Sequence, residues 1–325
     1  MPVLLVDIGK VPRHAYSFLW ADYVELLCLC SQNGLVSKGN IAAQTQEAAD
    51  TQADSDDDGQ RGSEESEELD DRISRRWADI HIRLTARSKQ FVDWPFTLEK
   101  NLVRSRFDAN NPRHRLYLAL LVASSLRLCK ETRAKEVTSA FEEISFHWLQ
   151  QSLSPLWEVR PFGAHQTLPG AYAAPTLLGK LKALAIDLQA RLQKSDEEYD
   201  PRNTGDGGID LVAWLKMGDQ RGNIPVIFGQ CACSPTDWED KQLDVTPAAI
   251  EAHIAPQHPG AAYCFVPHDL SANDRLWDRS EHIKRTVLVD RVRLFRLFES
   301  ANAFNVLPTW AFVDDAVATN AALAT

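Results

Sequence analysis

The sequence predicts a chain of two parts: an amino-terminal, mostly α-helical domain over residues 1–165, then an α/β domain over 166–325 built on a mixed sheet flanked by helices. Three observations carry this reading. Apolar residues recur at helical spacing through Gln151, with no alternating strand pattern between the helical stretches. A segment rich in Pro, Gly and aromatics, from Pro155 to Pro175, then interrupts the pattern. Beyond it the order becomes helix, hairpin, helix, strand, helix. At 325 residues there is length for two cores.

The elements follow in order. Ser17 caps a helix whose apolar residues fall at 19, 23, 26, 27 and 30. Residues 41–71 are Ala, Gln, Asp, Glu and Ser with almost nothing apolar, which predicts a disordered acidic loop, since burial cannot offset the entropy of ordering it. Helical patterns resume over 72–90, 113–130 and 132–151. In the second half Leu177, Leu181, Leu184, Leu188 and Leu192 mark one helix face. Strands are expected at 209–215 and 224–231, a helix at 236–253, and a short strand at 261–266 closed by Pro267. Residues 290–298 form an amphipathic helix with Leu294, Phe295, Leu297 and Phe298 on its apolar face.

Composition narrows the functional classes. The formal net charge is −10, but twelve acids and one base within 42–71 account for −11, so the remainder of the chain is close to neutral. A near-neutral body can carry local basic patches. The six cysteines form no CxxC pair and no zinc-finger spacing, and reduced thiols are expected. The first residues lack the pattern of a signal peptide, and the longest apolar stretch, Leu116 to Ala123, is too short to span a bilayer, so a cytoplasmic protein without membrane attachment is expected. There is no GxxxxGK[ST], GxSxG, HExxH or dinucleotide-binding glycine fingerprint.

The chemistry is concentrated in Gly205-Asp206-Gly207-Gly208-Ile209-Asp210-Leu211-Val212-Ala213, followed by Phe228-Gly229-Gln230-Cys231-Ala232. A glycine turn delivers a carboxylate at the start of one buried strand, and a second buried strand ends in a side-chain oxygen donor. This pattern resembles the PD-(D/E)XK, or restriction-endonuclease-like, superfamily, in particular its Mrr-like branch. The whole chain is also similar to bacterial proteins of phage-defence islands. The resemblance implies a restriction-endonuclease-like fold for the second domain and a Mg²⁺ (or Mn²⁺) ion held by Asp210 and Gln230, with the Cys231 carbonyl as a further oxygen. It also implies an acid from the preceding helix, for which Asp187, Glu197 and Glu198 are the choices. Where the pattern has a lysine two residues after Gln230, this chain has Ala232. Lys241 on the next helix is the nearby replacement, although a helix starting near Thr236 would set it more than a turn in.

The function so implied is Mg²⁺-dependent hydrolysis of DNA in a bacterial defence or restriction system, catalysed by Asp210, Gln230 and Lys241. A partner subunit such as an ATPase would be required for any translocation. The alternative is a catalytically degenerate nuclease fold that binds DNA or assembles a multi-protein defence complex. Arg291, Arg293 and Arg296 are candidates for phosphate contacts, and a second basic concentration lies at Arg104, Arg106, Arg113, His114 and Arg115.

Overall fold

The amino-terminal unit is arranged around a helix with no solvent face. Helix α1 (Ser17–Cys30) is buried from Phe18 to Cys30, and this brings two acids, Asp22 and Glu25, into the interior. Buried carboxylates need partners. The chain then runs through β1 (Leu35–Ser37), α2 (Lys38–Ala53), α3 (Ser63–Gln90), β2 (Phe96–Glu99), β3 (Leu102–Ser105), α4 (Pro112–Ser124) and the start of α5 (Glu131–Ser152). Arg87, fully buried on α3, lies 2.6 Å from Asp22 and 2.8 Å from Glu25. Tyr117 on α4 donates to Glu25 at 2.8 Å and Trp94 does so at 3.1 Å, while Ser124 donates to Asp22. This network ties three helices together.

The computed structural model describes residues 6–322 apart from 7, 13, 15, 54–62, 164–167, 169, 173 and 273–275. The chain divides into two compact units: Met1–Val137 with Pro308–Thr325, and Thr138–Leu307. The division therefore falls inside α5 rather than near residue 165. The stretch at Pro155–Pro175 is no linker, because it contains a strand of the second unit, β4 (Trp157–Pro161). The first unit is helical as expected but also holds an antiparallel sheet in the order β1–β3–β2, whose strands of three or four residues are too short to show a period. The acidic segment 41–71 departs from the expected loop as well: it is helical through Ala53 and again from Ser63, and 54–62 lie outside the described residues. Ala, Gln and Glu are strong helix formers, and here local propensity outweighs the scarcity of apolar residues.

The second unit continues with α6 (Leu177–Leu188), β5 (Arg191–Leu192), β6 (Leu211–Leu215), β7 (Val226–Cys231), α7 (Trp238–Lys241), α8 (Pro247–Glu251), β8 (Ile254–Ala255), β9 (Ala261–Phe265), β10 (Val287–Val289) and α9 (Arg291–Ser300). Its sheet is mixed, in the order β10–β9–β7–β6–β4. β4, β6 and β7 are antiparallel neighbours, whereas β9 and β10 run parallel to β7. Side chains alternate across the sheet. Val212, Trp214, Val226 and Phe228 share a core with Leu177, Leu181, Leu184 and Leu188 of α6. On the opposite face Trp148 of α5 stands edge-on to Phe265 at 5.5 Å, and its indole donates to the Arg293 carbonyl of α9 at 3.1 Å. Among the described residues no helix is long and apolar enough to cross a membrane.

Removing Arg87 would take from buried Asp22 and Glu25 the cation they share. Arg87→Ala is expected to lower unfolding free energy by roughly 3–5 kcal/mol, the usual cost of breaking a buried pair, measured as the shift in the urea midpoint.

Candidate functional site

Asp210 stands at the entry to β6, where three strands meet. Its N–H donates to Gly229 O of β7 at 2.9 Å, and its carbonyl accepts from Phe162 N at 2.7 Å and Gly163 N at 3.2 Å, just beyond β4. One carboxylate oxygen, Oδ2, accepts the Cys231 N–H at 2.7 Å. The glycine turn before it has its own acid: Asp206 Oδ1 accepts from Gly208 N at 2.8 Å, while Gly207 and Gly208 adopt positive φ of 65° and 82°. Asp206 therefore builds the turn, and Asp210 is left to face a cavity.

That cavity, about 230 Å³, is lined among others by Glu142, Asp210, Gln230, Ala232, Asp237 and Lys241. Glu142, on α5, is the residue that sequence reasoning missed. A methyl carbon placed on Gly163 would lie 3.0 Å from Asp210 Oδ1 and 3.6 Å from Glu142 Oε2, so both carboxylates face the space that this glycine leaves. The acids expected from the neighbourhood of α6 are elsewhere. Asp187 accepts from Tyr172 OH at 2.6 Å and Arg160 at 3.0 Å, Glu197 is exposed, and Glu198 caps its own turn through Ser195. The only sequence signal for Glu142 is its place next to Phe141 on the helix face that also carries Thr138 and Ser145.

Gln230, at the end of β7, is 5% exposed, and its Oε1 has no hydrogen-bond partner. Its Nε2 reaches the Cys231 carbonyl at 3.4 Å. A buried oxygen acceptor left unsatisfied is costly, and here it opens on a cavity lined by the carboxylates of Glu142, Asp210 and Asp237. Lys241 ends the single-turn helix α7, which replaces the long helix expected over 236–253; the remainder of that span is a 3-10 turn and α8. Lys241 lines the cavity. Its Nζ is 3.4 Å from Asp244 Oδ2.

Burial pushes the Asp210 carboxyl well above the usual carboxylate range, and the Glu142 charge pushes it further; the Cys231 N–H and Lys241 oppose this. Burial likewise raises the Cys231 thiol. Among the described residues no group of three or more His, Cys, Asp or Glu side chains is assembled to hold a metal. A cation here would rest on two carboxylates plus the neutral Gln230 oxygen, and all three are present on the cavity wall.

The arginine candidates separate. Arg291 is fully buried and donates to Pro267 O at 2.8 Å, so it is not presented to a phosphate: the first residue of α9 turns inward to satisfy a loop carbonyl. Arg293 and Arg296 are exposed, with Arg293 also bonded to Leu288 O and stacked on Trp277 at 4.6 Å. In the first unit Arg106 pairs with Asp93, and Arg115 with Asp314, so that basic concentration is partly neutralised. Comparison with protein-family models, curated proteins and solved structures yields no match for this chain.

Because the folded-state pKa of Asp210 is raised, its contribution to stability is fully present below about pH 4, the ordinary Asp value, and is lost as pH rises through the folded-state value. In the absence of divalent cations Asp210→Asn should melt above wild type at pH 8. The difference should close as pH falls below about 4, and thermal melts across pH check this.

Proposed function

We propose that the second unit is a metal-dependent nuclease domain of the restriction-endonuclease-like type, cleaving DNA in a bacterial defence or restriction system. The observation that carries this reading is the convergence of Glu142, Asp210 and the unpartnered Gln230 Oε1 on one cavity that Lys241 also lines. The sheet supports it: an acid-bearing helix, three antiparallel strands and a parallel fourth strand suit the resemblance seen at Gly205–Asp210.

Asp210, Glu142 and Gln230 would hold Mg²⁺ or Mn²⁺. When bound, such a cation supplies charge neutralisation at the scissile phosphate and a water activated near neutral pH. Asp210 contributes an oriented oxygen, since its other oxygen is fixed by Cys231 N–H. Gln230 contributes an oxygen without charge, so it adds a ligand without adding to the Asp210–Glu142 repulsion. Lys241 supplies the positive charge that Ala232 cannot, placed to steady charge developing on the phosphate. Arg293 and Arg296 offer exposed cations for the DNA backbone. Ala232 also favours a second reading, a non-catalytic subunit that uses the same fold to bind DNA or assemble a multi-protein complex.

Incubation of the full chain with plasmid DNA and Mg²⁺ or Mn²⁺ separates the two. Nicking or linearisation is expected, with losses of about 10²-fold or more in Asp210→Ala and Lys241→Ala; DNA binding without cleavage in wild type would leave the second reading. Cation binding has its own test. Mn²⁺ should raise the melting temperature of wild type at pH 8 and affect Asp210→Asn little. The rise should be larger in Gln230→Glu, whose added carboxylate gives the ion more charge to bind. Because the Asp210 proton competes with the ion, the Mn²⁺ effect should weaken as pH falls.

A further inference from the structure

Lys241 is held more firmly than a lysine on a one-turn helix needs to be. On one side of it, Glu239 pairs with Arg279 at 2.5 Å and with His282 Nδ1 at 2.6 Å. On the other, Gln242 is fully buried; its Nε2 donates to His282 O at 3.0 Å, and its Oε1 accepts from Lys284 N at 3.0 Å and Thr286 Oγ1 at 2.9 Å. The two residues flanking Lys241 by one and two positions are thus hooked to the same segment before β10, and the backbone that carries the lysine is fixed from both sides.

The side chain has a separate anchor. Asp244 Oδ2 contacts Lys241 Nζ at 3.4 Å, and both groups are partly exposed, at 38% and 49%. A pair so exposed contributes little to stability, and Asp244 is the acid that the Lys241 ammonium meets. Asp244 in turn lies on the glycine turn: a methyl carbon on Gly208 would be 2.6 Å from Asp244 Cβ and 3.1 Å from Cγ. That same turn delivers Asp210 two residues later. Lys241 therefore lines the cavity while its ammonium is paired with an acid packed on the turn that leads to Asp210.

We propose that Asp244, seated on Gly208, is the positioning residue that holds Lys241 at the cavity. Gly208 is required there twice over, for its φ of +82° and because any side chain would evict Asp244. The kinetic consequence rests on the nuclease reading of this site; the placement of Lys241 does not.

Asp244→Asn keeps the size of the residue against Gly208 and removes the charge. In the full chain, without cation or DNA, ¹³C relaxation of the Lys241 side chain, assigned with Lys241→Arg, should show an ordered Cε in wild type and a mobile one in Asp244→Asn. Single-turnover plasmid cleavage should fall about tenfold, with DNA affinity unchanged, because misplacing one group acts on the chemical step. Asp244→Ser serves as a second variant should the Asn protein not fold. Equal Lys241 mobility in wild type and variant overturns the proposal, as does unchanged or faster cleavage in the variant. If wild type cleaves no DNA, the nuclease reading fails separately, and the relaxation measurement alone decides the role of Asp244.

Discussion

The second unit depends on how Asp210 is fastened. Its N–H is committed to β7, its carbonyl to the backbone after β4, and one carboxylate oxygen to the N–H of Cys231. Four hydrogen bonds at one residue fix where β4, β6 and β7 meet, and they leave one oxygen, Oδ1, to face the cavity. Position follows from the sheet, and chemistry from the remaining oxygen. The register of Leu211 opposite Gly229 then sets Gln230 and Cys231 at the far end of β7, beside that oxygen. Gly163 and Glu142 complete the wall.

Such fastening has an electrostatic consequence. Asp210 is taken out of water next to Glu142, and among the described residues that line the cavity Lys241 is the cation. Burial and like charge both hold a proton on Asp210, so the site suits a ligand that carries positive charge. A glutamate at 230 would add a third acid to this set. The glutamine gives an oxygen at lower electrostatic cost, and its unsatisfied Oε1 remains available to such a ligand.

Much of the frame was legible in the sequence because it obeys local rules. The helix at Ser17–Cys30 matches its expected span, although Ser17 begins it rather than capping it, Thr176 caps α6 and Asp290 caps α9 through side-chain bonds, and both strands of the central hairpin fall within two residues of expectation. What escaped is governed by pairing at a distance. β4 reads as a Pro-rich and aromatic segment because it is an edge strand, where proline is tolerated. Glu142 looks like one of two adjacent acids on an amphipathic helix, and only packing against the sheet singles it out from Glu143. Arg291 belongs by spacing to a basic face, yet a single carbonyl turns it inward.

Several departures from ordinary protein chemistry lie together around the cavity, while buried Asp290, buried Trp238 and the buried Nδ1 of His253 show others elsewhere in the unit. Around the cavity lie an unsatisfied buried amide oxygen, a carboxylate held toward its neutral form, two glycines at positive φ and a half-exposed lysine held by an aspartate. The core on the α6 face is built mainly of Leu, Val, Ile, Phe, Tyr, Trp and Ala, with Lys180 of α6 buried beside it. A cluster of such departures at one end of a sheet points to a requirement that folding does not impose. Here that requirement is an oxygen-lined, negatively charged space with one cation at its mouth. On the proposed reading, a positive ligand entering the site would restore stability forgone at Asp210 and Gln230, which would link the occupancy of the site to the rigidity of the sheet end that forms it.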